Sequence, residues 1–222
     1  MPLRKKVIKK SIPLVENDIL SFIDHILYIN LDSRKDRLDS ITNEIKKIDP
    51  EGLKTTRISA IKHERGAIGC GLSHIKALEL AKEKGYKNVI ILEDDYTFKT
   101  DIKDIKYNFN LLFQKYSDYN ICLLAGNIYR IKRGSDNISQ CLNVQTTSGY
   151  IINERFYQSL IDNFKEGVGK MLDHYRYGEA EIDQNWKRLQ GMDKKFYIFY
   201  PKLGQQIASY SDIENRHTDY GC

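Results

Sequence analysis

Four aliphatic residues in a row, Val89-Ile90-Ile91-Leu92, end abruptly in three carboxylates, Glu93-Asp94-Asp95. An unbroken apolar run bounded upstream by Gly85 and Asn88 suits an inner strand covered on both faces, as in a parallel sheet. His25 to Leu31 reads as a first buried strand of the same kind. Between the two the pattern shifts to the helical period: Leu38, Ile41, Ile45 and Ile48 recur across 34–48 with charges on the other face. Asp32-Ser33 is placed to cap that helix and Asp49-Pro50 to stop it. Residues 54–60 predict a second strand. Gly66-Ala67-Ile68-Gly69-Cys70-Gly71 reads as a flexible turn, and a helix with Leu72, Ile75, Leu78 and Leu80 on its apolar side then runs to Gly85. Further on, the pattern predicts a helix over 101–116 and a strand over 119–124 broken by Gly126-Asn127. Antiparallel β-pairing follows over 128–152, a helix over 153–164, and a late strand over 196–200 closed by Pro201. Strand, helix, strand, helix, strand in the first half predicts an α/β fold with a mainly parallel central sheet flanked by helices.

Composition narrows the class. The 222 residues, 41% hydrophobic, suffice for one domain with a sizeable core. That domain is expected over 25–222, preceded by a basic arm over 1–24. Lys+Arg 35 against Asp+Glu 30 leaves +5, and Arg4, Lys5, Lys6, Lys9 and Lys10 crowd the first ten residues. Elsewhere charges are mixed in sign, without the basic stripe of a nucleic-acid binder, and the excess fits an anionic small ligand equally well. The arm offers at most a peripheral membrane contact. No apolar run approaches the ~20 residues that span a bilayer, and no secretory signal opens the chain, so a cytoplasmic location is expected. The cysteines, Cys70, Cys122, Cys141 and Cys222, have neither zinc nor disulfide spacing. Cys70 and Cys122 read as buried free thiols in a reducing compartment. Oligomeric state is not legible.

The acids at the tip of 88–95 carry the chemistry. Three adjacent carboxylates repel one another and lose hydration on burial, so a cation among them is the simplest explanation. Oxygen-only ligands favour Mg²⁺ or Mn²⁺. The plain alternative is a solvated acidic turn.

Several motifs occur in one order. Tyr28-Ile29-Asn30-Leu31-Asp32-Ser33-Arg34-Lys35-Asp36-Arg37 is followed by Gly69-Cys70-Gly71-Leu72-Ser73-His74 and Ile91-Leu92-Glu93-Asp94-Asp95. Then come Gly149-Tyr150-Ile151-Ile152, Ile182-Asp183 and Ser211-Asp212-Ile213. Together they resemble glycosyltransferase family 25, which includes lipopolysaccharide β-galactosyltransferases and procollagen hydroxylysine galactosyltransferases. The resemblance runs over roughly 25–214. It implies a GT-A-type nucleotide-binding fold and a UDP-sugar donor, with UDP-galactose or UDP-glucose favoured. It also implies Mn²⁺ (or Mg²⁺) on the diphosphate and a glycan or hydroxylysine-type acceptor.

By the family pattern Asp95 is the direct metal ligand, with Glu93 turned to the ribose, the sugar or a metal-bound water. Asp94 points to the opposite side if the strand stays regular. Asn30 and Leu31 sit where such folds receive the nucleotide, and Arg37, with Arg34 behind it, is suited to phosphate oxygens. Ser73 and His74 match the family; His74 either contacts phosphate, orients a carboxylate, or is a packed structural histidine. Gly69 and Gly71 permit close approach, to a ligand or to neighbouring backbone. Transfer with inversion needs a base for the acceptor hydroxyl, and Asp183 is the choice, Glu181 the second. Asp183 has a plain use as well, as a helix cap before Gln184. Tyr150, Tyr175, Tyr177 and Trp186 are candidate sugar-stacking rings, and Gly149 a site-lining glycine. Asp212 and His217 are placed to return to the diphosphate or metal.

Two other classes stay open: a non-catalytic relative binding nucleotide sugar or glycan, and a metal-dependent phosphotransferase or nucleotidyltransferase sharing only the strand-tip acids. The Gly-x-x-x-x-Gly-Lys-Ser/Thr phosphate loop is missing.

Overall fold

The computed structural model describes residues 17–173, 178–208 and the backbone of 209–211 and 216–218. In chain order the elements are β1 (His25–Asn30), α1 (Lys35–Ile45), β2 (Thr55–Ser59), α2 (Gly66–Glu83), β3 (Asn88–Glu93), β4 (Tyr96–Phe98), α3 (Ile102–Lys115) and β5 (Ile121–Leu123). They continue with β6 (Asn127–Lys132), β7 (Ile138–Gln145), β8 (Gly149–Asn153), α4 (Tyr157–Leu172), α5 (Ile182–Asn185) and α6 (Lys187–Met192). The last are β9 (Phe196–Phe199), β10 (Gly204–Gln206), β11 (Ser209–Ser211) and β12 (Arg216–Thr218).

Eight strands form one sheet in the order β2-β1-β3-β8-β5-β9-β7-β6. β1 runs parallel to β2 and β3, and β5 parallel to β9, while β8 is antiparallel to both β3 and β5, and β7 to β9 and β6. All strands but β7 and β8 therefore point the same way, so the sheet is mainly parallel, as expected. Small two-stranded pairings, β4 with β10 and β11 with β12, are added beside it.

The sheet divides the core into two layers. Leu27, Ile29, Val89 and Ile91 face the layer that holds α2 and α4; Ile26, Tyr28, Ile90 and Leu92 face the layer that holds α1 and α3. A strand buried on both sides has no polar face to show, which is why 89–92 is uniformly apolar. Residues 17–24 already lie on the second layer: Ile19 and Ile23 are buried in it, and Lys54 Nζ donates to Leu20 O and Ile23 O. Residues 1–16 of the expected arm are outside the described residues. Among the described residues, no helix is long and apolar enough to cross a membrane. Cys70, Cys122 and Cys141 are free.

Local chemistry differs from the pattern reading in three places. The glycines of 66–71 form no turn; they open α2. A Cβ on Gly69 would lie 2.4 Å from Ile61 O, and one on Gly71 2.7 Å from Val168 Cγ2, so these glycines let the helix seat against a loop and against α4. Close packing outweighs their poor helix propensity. Asp32 does not cap α1, whose preceding residue Arg34 makes no side-chain cap; Asp32 instead accepts from Arg57 and Ser59 across the β1–β2 ends. The helix expected over 153–164 runs on to Leu172 because Phe164, Val168 and Met171 keep its apolar stripe in the core.

Gly71→Val is expected to cost about 1–3 kcal/mol by overpacking against Val168. Gly169→Ala, in the last turn of α4 with nothing within 4 Å of the added carbon, should gain up to about 1 kcal/mol. Urea unfolding of the two variants checks both signs.

Candidate active site

A cavity of about 750 Å³ opens at the carboxyl ends of β1 and β3, where parallel sheets receive ligands. Asn30, Leu31, Arg37, Ser73, His74, Glu93, Asp94 and Asp95 line one side, and Glu181 and Asp183 the other.

β3 ends at Glu93, whose N–H donates to Ser148 O at 2.8 Å. The chain then turns, so Asp94 does not point away as a continued strand would require. It accepts from Asn30 Nδ2 at 2.7 Å and from Arg37 Nη1 at 2.9 Å, and Asp95 lies 3.2 Å from the same nitrogen. Gln206 Nε2 donates to Asp95 Oδ1 at 3.3 Å. Part of the cation that the acids require is thus the guanidinium of Arg37. Burial pushes Asp95 up to about 7, the neighbouring charges of Glu93 and Asp94 add to this, and Arg37 opposes it. Asp94 is raised by burial too, against Arg37 and Asn30. Charge at this end remains under-compensated, and the buried Asp95 and half-buried Glu93, both facing the cavity, fit a hard divalent ion.

Glu93 is held differently. His74 is buried, with Nε2 3.1 Å from Glu93 Oε1 and Nδ1 3.1 Å from Tyr150 Oη, and Thr147 Oγ1 donates to the same Glu93 oxygen at 2.7 Å. Burial opposes the charge on Glu93, but the His74 and Thr147 hydrogen bonds and the nearby Arg37 together keep its carboxyl below the usual range. His74 stands behind Glu93, the orienting arrangement among those left open by sequence. Ser73 Oγ donates to Gly69 O and accepts from Ile61 N, so its hydroxyl fastens the loop before α2.

Other expected positions are placed elsewhere. Gly149 and Tyr150 do not line the cavity: a Cβ on Gly149 would lie 2.7 Å from the Tyr96 ring, so this glycine makes room for a core tyrosine. Tyr150 and Trp186 are buried against each other in an edge-on pair, with no ring face left for a sugar. Arg34 pairs with Asp36 outside the cavity lining. Tyr175, Tyr177 and Asp212 fall outside the described residues, as does the side chain of His217, whose backbone in β12 pairs with Tyr210 of β11.

On the far wall Glu181 Oε1 accepts from Gly178 N at 2.7 Å and so ties down its own loop. Asp183 Oδ2 accepts from Thr146 N at 3.2 Å, and does not cap α5. Burial pushes Asp183 up to about 6; the Thr146 N–H opposes this, Glu181 and Glu93 add to it, and Lys187 opposes it. Thr146 has φ 87, a strained backbone for a β-branched residue. The strain aims one N–H at Asp183 while the next residue's hydroxyl reaches Glu93. Sequence reasoning passed over Thr146, Thr147 and Gln206, which lie in no periodic run; the adjacent Thr-Thr-Ser-Gly was the available signal.

A family model described as glycosyltransferase family 25 (LPS biosynthesis protein) matches residues 64–175, just over half of the 222-residue chain. This defines a glycosyltransferase with a mixed α/β fold built on a large, mainly parallel sheet. The chain belongs to glycosyltransferase family 25. No curated protein matches it. Among solved structures it is similar to a UDP-glucose pyrophosphorylase complexed with UDP-glucose, with 12% identity and TM-score 0.48 over 82% of this chain and 74% of that one. It is also similar to a glycosyltransferase involved in glycosylation of the major capsid of PBCV-1, with 8% identity and TM-score 0.38 over 79% of this chain and 91% of that one. Neither likeness bears on function.

Arg37→Met is expected to destabilise the fold by about 3 kcal/mol, as for loss of one partner from a largely buried ion pair. The loss should be larger at pH 8 than at pH 5. Below pH 7 Asp95 is increasingly protonated in the folded state, and Arg37 then offsets less charge. Thermal melts at both pH values test this.

Proposed function

We propose that the chain transfers a hexose from a UDP-sugar, UDP-galactose or UDP-glucose, to a hydroxyl of a glycan or hydroxylysine-type acceptor, with inversion at the anomeric carbon. The observation that carries this reading is a single cavity that joins strand-end carboxylates and Arg37 to a half-buried Asp183 held at about 6. Family membership supports the reaction type.

Asn30 and Leu31 receive the nucleotide at the end of β1, and Arg37 faces the diphosphate from the first turn of α1. Asp95 and Glu93 would hold Mn²⁺ (or Mg²⁺), which when bound stabilises the charge growing on the departing diphosphate as a Lewis acid. His74 and Thr147 keep Glu93 oriented. Asp183 takes the proton of the acceptor hydroxyl as that oxygen attacks. A carboxylate near 6 is largely ionised at neutral pH yet basic enough to accept a proton in the transition state. Glu181, committed to Gly178, is the weaker candidate. Asp212, on its motif position, and His217, by its place near the carboxyl end, remain proposed diphosphate or metal contacts.

A panel of UDP-sugars with and without Mn²⁺, scored by UDP release and thermal shift, tests the reading. Metal-dependent UDP release from UDP-galactose or UDP-glucose is expected. Pyrophosphate release from a nucleoside triphosphate would replace the reading with a nucleotidyltransferase. UDP-dependent stabilisation with no turnover of any donor would replace it with a binding protein.

Asp183→Asn should lower kcat by about 10²–10⁴-fold with UDP affinity kept, and wild-type kcat/KM should fall as pH drops through about 6. The same variant should melt higher than wild type at pH 8. Because the folded pKa of Asp183 lies above its ordinary 3.8, ionisation costs stability as pH rises between those values, and Asn removes the cost. The advantage should vanish below pH 4.

A further inference from the structure

We propose that Cys70, His74 and Glu93 form a second cation site, one that takes a thiophilic divalent ion of the zinc class and excludes the oxygen-ligated ion at Asp95 by capturing Glu93. Among the described residues this is the group whose potential ligand atoms, one from each residue, all lie within 4.8 Å of one another.

Cys70 and His74 are four residues apart on α2 and share one face of the helix, while Glu93 arrives from the end of β3. One sulfur, one imidazole and one carboxylate make a ligand set suited to zinc and poorly suited to Mg²⁺ or Mn²⁺. His74 Nε2 and Glu93 Oε1 are 3.1 Å apart, near the roughly 3.3 Å that separates two ligands bound about 2.0–2.1 Å from a tetrahedral zinc. Cys70 Sγ lies within 4.8 Å of both of these atoms. Its backbone is fixed, since Gly69 and Gly71 on either side are packed against Ile61 and Val168.

The supporting contacts are those that metal-binding side chains use. Tyr150 Oη lies 3.1 Å from His74 Nδ1, on the ring nitrogen away from the ion, and Thr147 Oγ1 holds Glu93 at 2.7 Å. On binding, His74 takes the tautomer with its ring proton on Nδ1, donated to Tyr150 Oη, rather than on Nε2 towards Glu93; this frees the Nε2 lone pair for the ion, and the Cys70 thiol proton leaves to solvent. All three residues line the cavity. An ion can therefore enter, and the fourth tetrahedral position is left to water or a ligand in the cavity, the pattern of three protein ligands and one open place.

The site is independent of the transferase reading; its effect on turnover rests on that reading. The test titrates the metal-free full chain with Co²⁺ in the absence of nucleotide. A thiolate-to-cobalt charge-transfer band, with the intense visible bands of tetrahedral cobalt, should saturate at one equivalent. Zn²⁺ should bleach them and Mg²⁺ should not. Cys70→Ser should abolish the charge-transfer band and weaken Zn²⁺ binding at least about tenfold, with Mn²⁺ binding followed by electron paramagnetic resonance unchanged. A circular-dichroism melt verifies that the variant folds, and Cys70→Ala serves as the second variant. Absence of the band, or its persistence in Cys70→Ser, overturns the site and leaves the transferase reading untouched. Where UDP release is measurable, Zn²⁺ should suppress it in the wild type and do so at least tenfold less effectively in Cys70→Ser.

Discussion

Neutralising negative charge at the end of β3 is the constraint around which the rest of the site is built. Glu93, Asp94 and Asp95 leave the sheet together at a place where burial makes ionisation costly, and four elements answer them. α1 supplies Arg37, β1 supplies Asn30, α2 supplies His74, and β10 supplies Gln206. The order of the strands serves this: β1 lies beside β3, where Asn30 reaches Asp94, and on the other side of β3 the Ser148 carbonyl just before β8 receives the Glu93 amide. The compensation is incomplete, which leaves room for a ligand's own charge.

The two walls of the cavity use burial to opposite ends. Around Glu93 it is overcome by hydrogen bonds, and the carboxylate stays ionised. Around Asp183 it wins, and the group is held where it can exchange a proton near neutrality. Two carboxylates with divergent affinities for protons in one cavity suit a reaction with one charged and one proton-handling end.

Much of the fold was legible in the chain, because a strand buried on both faces leaves an uninterrupted apolar run and an amphipathic helix leaves its period. β1, α1, β3, α3 and β5 follow those rules. The glycines of α2 were not legible, since the same residue serves turns and close helix packing, and the difference lies in Ile61 and Val168, distant in sequence. Asp94 was misdirected because the strand ends one residue before it. Gly149 and Tyr150 matched a motif yet serve the core: Tyr96 needs the space above the glycine, and His74 needs the phenol. The carboxylates and Arg37 were readable as chemistry. Their pairing, and the part played by Thr146 and Thr147, depends on loops with no periodicity to betray them.

The strained loop between β7 and β8 joins the walls mechanically. Thr146 fixes one acid through its amide and Thr147 fixes the other through its hydroxyl, with a single peptide link between them. Whatever draws Glu93 towards an incoming molecule also tugs on the support of Asp183. Molecules bound against the two acids should therefore sense each other's arrival, and their affinities be interdependent without any contact between the two.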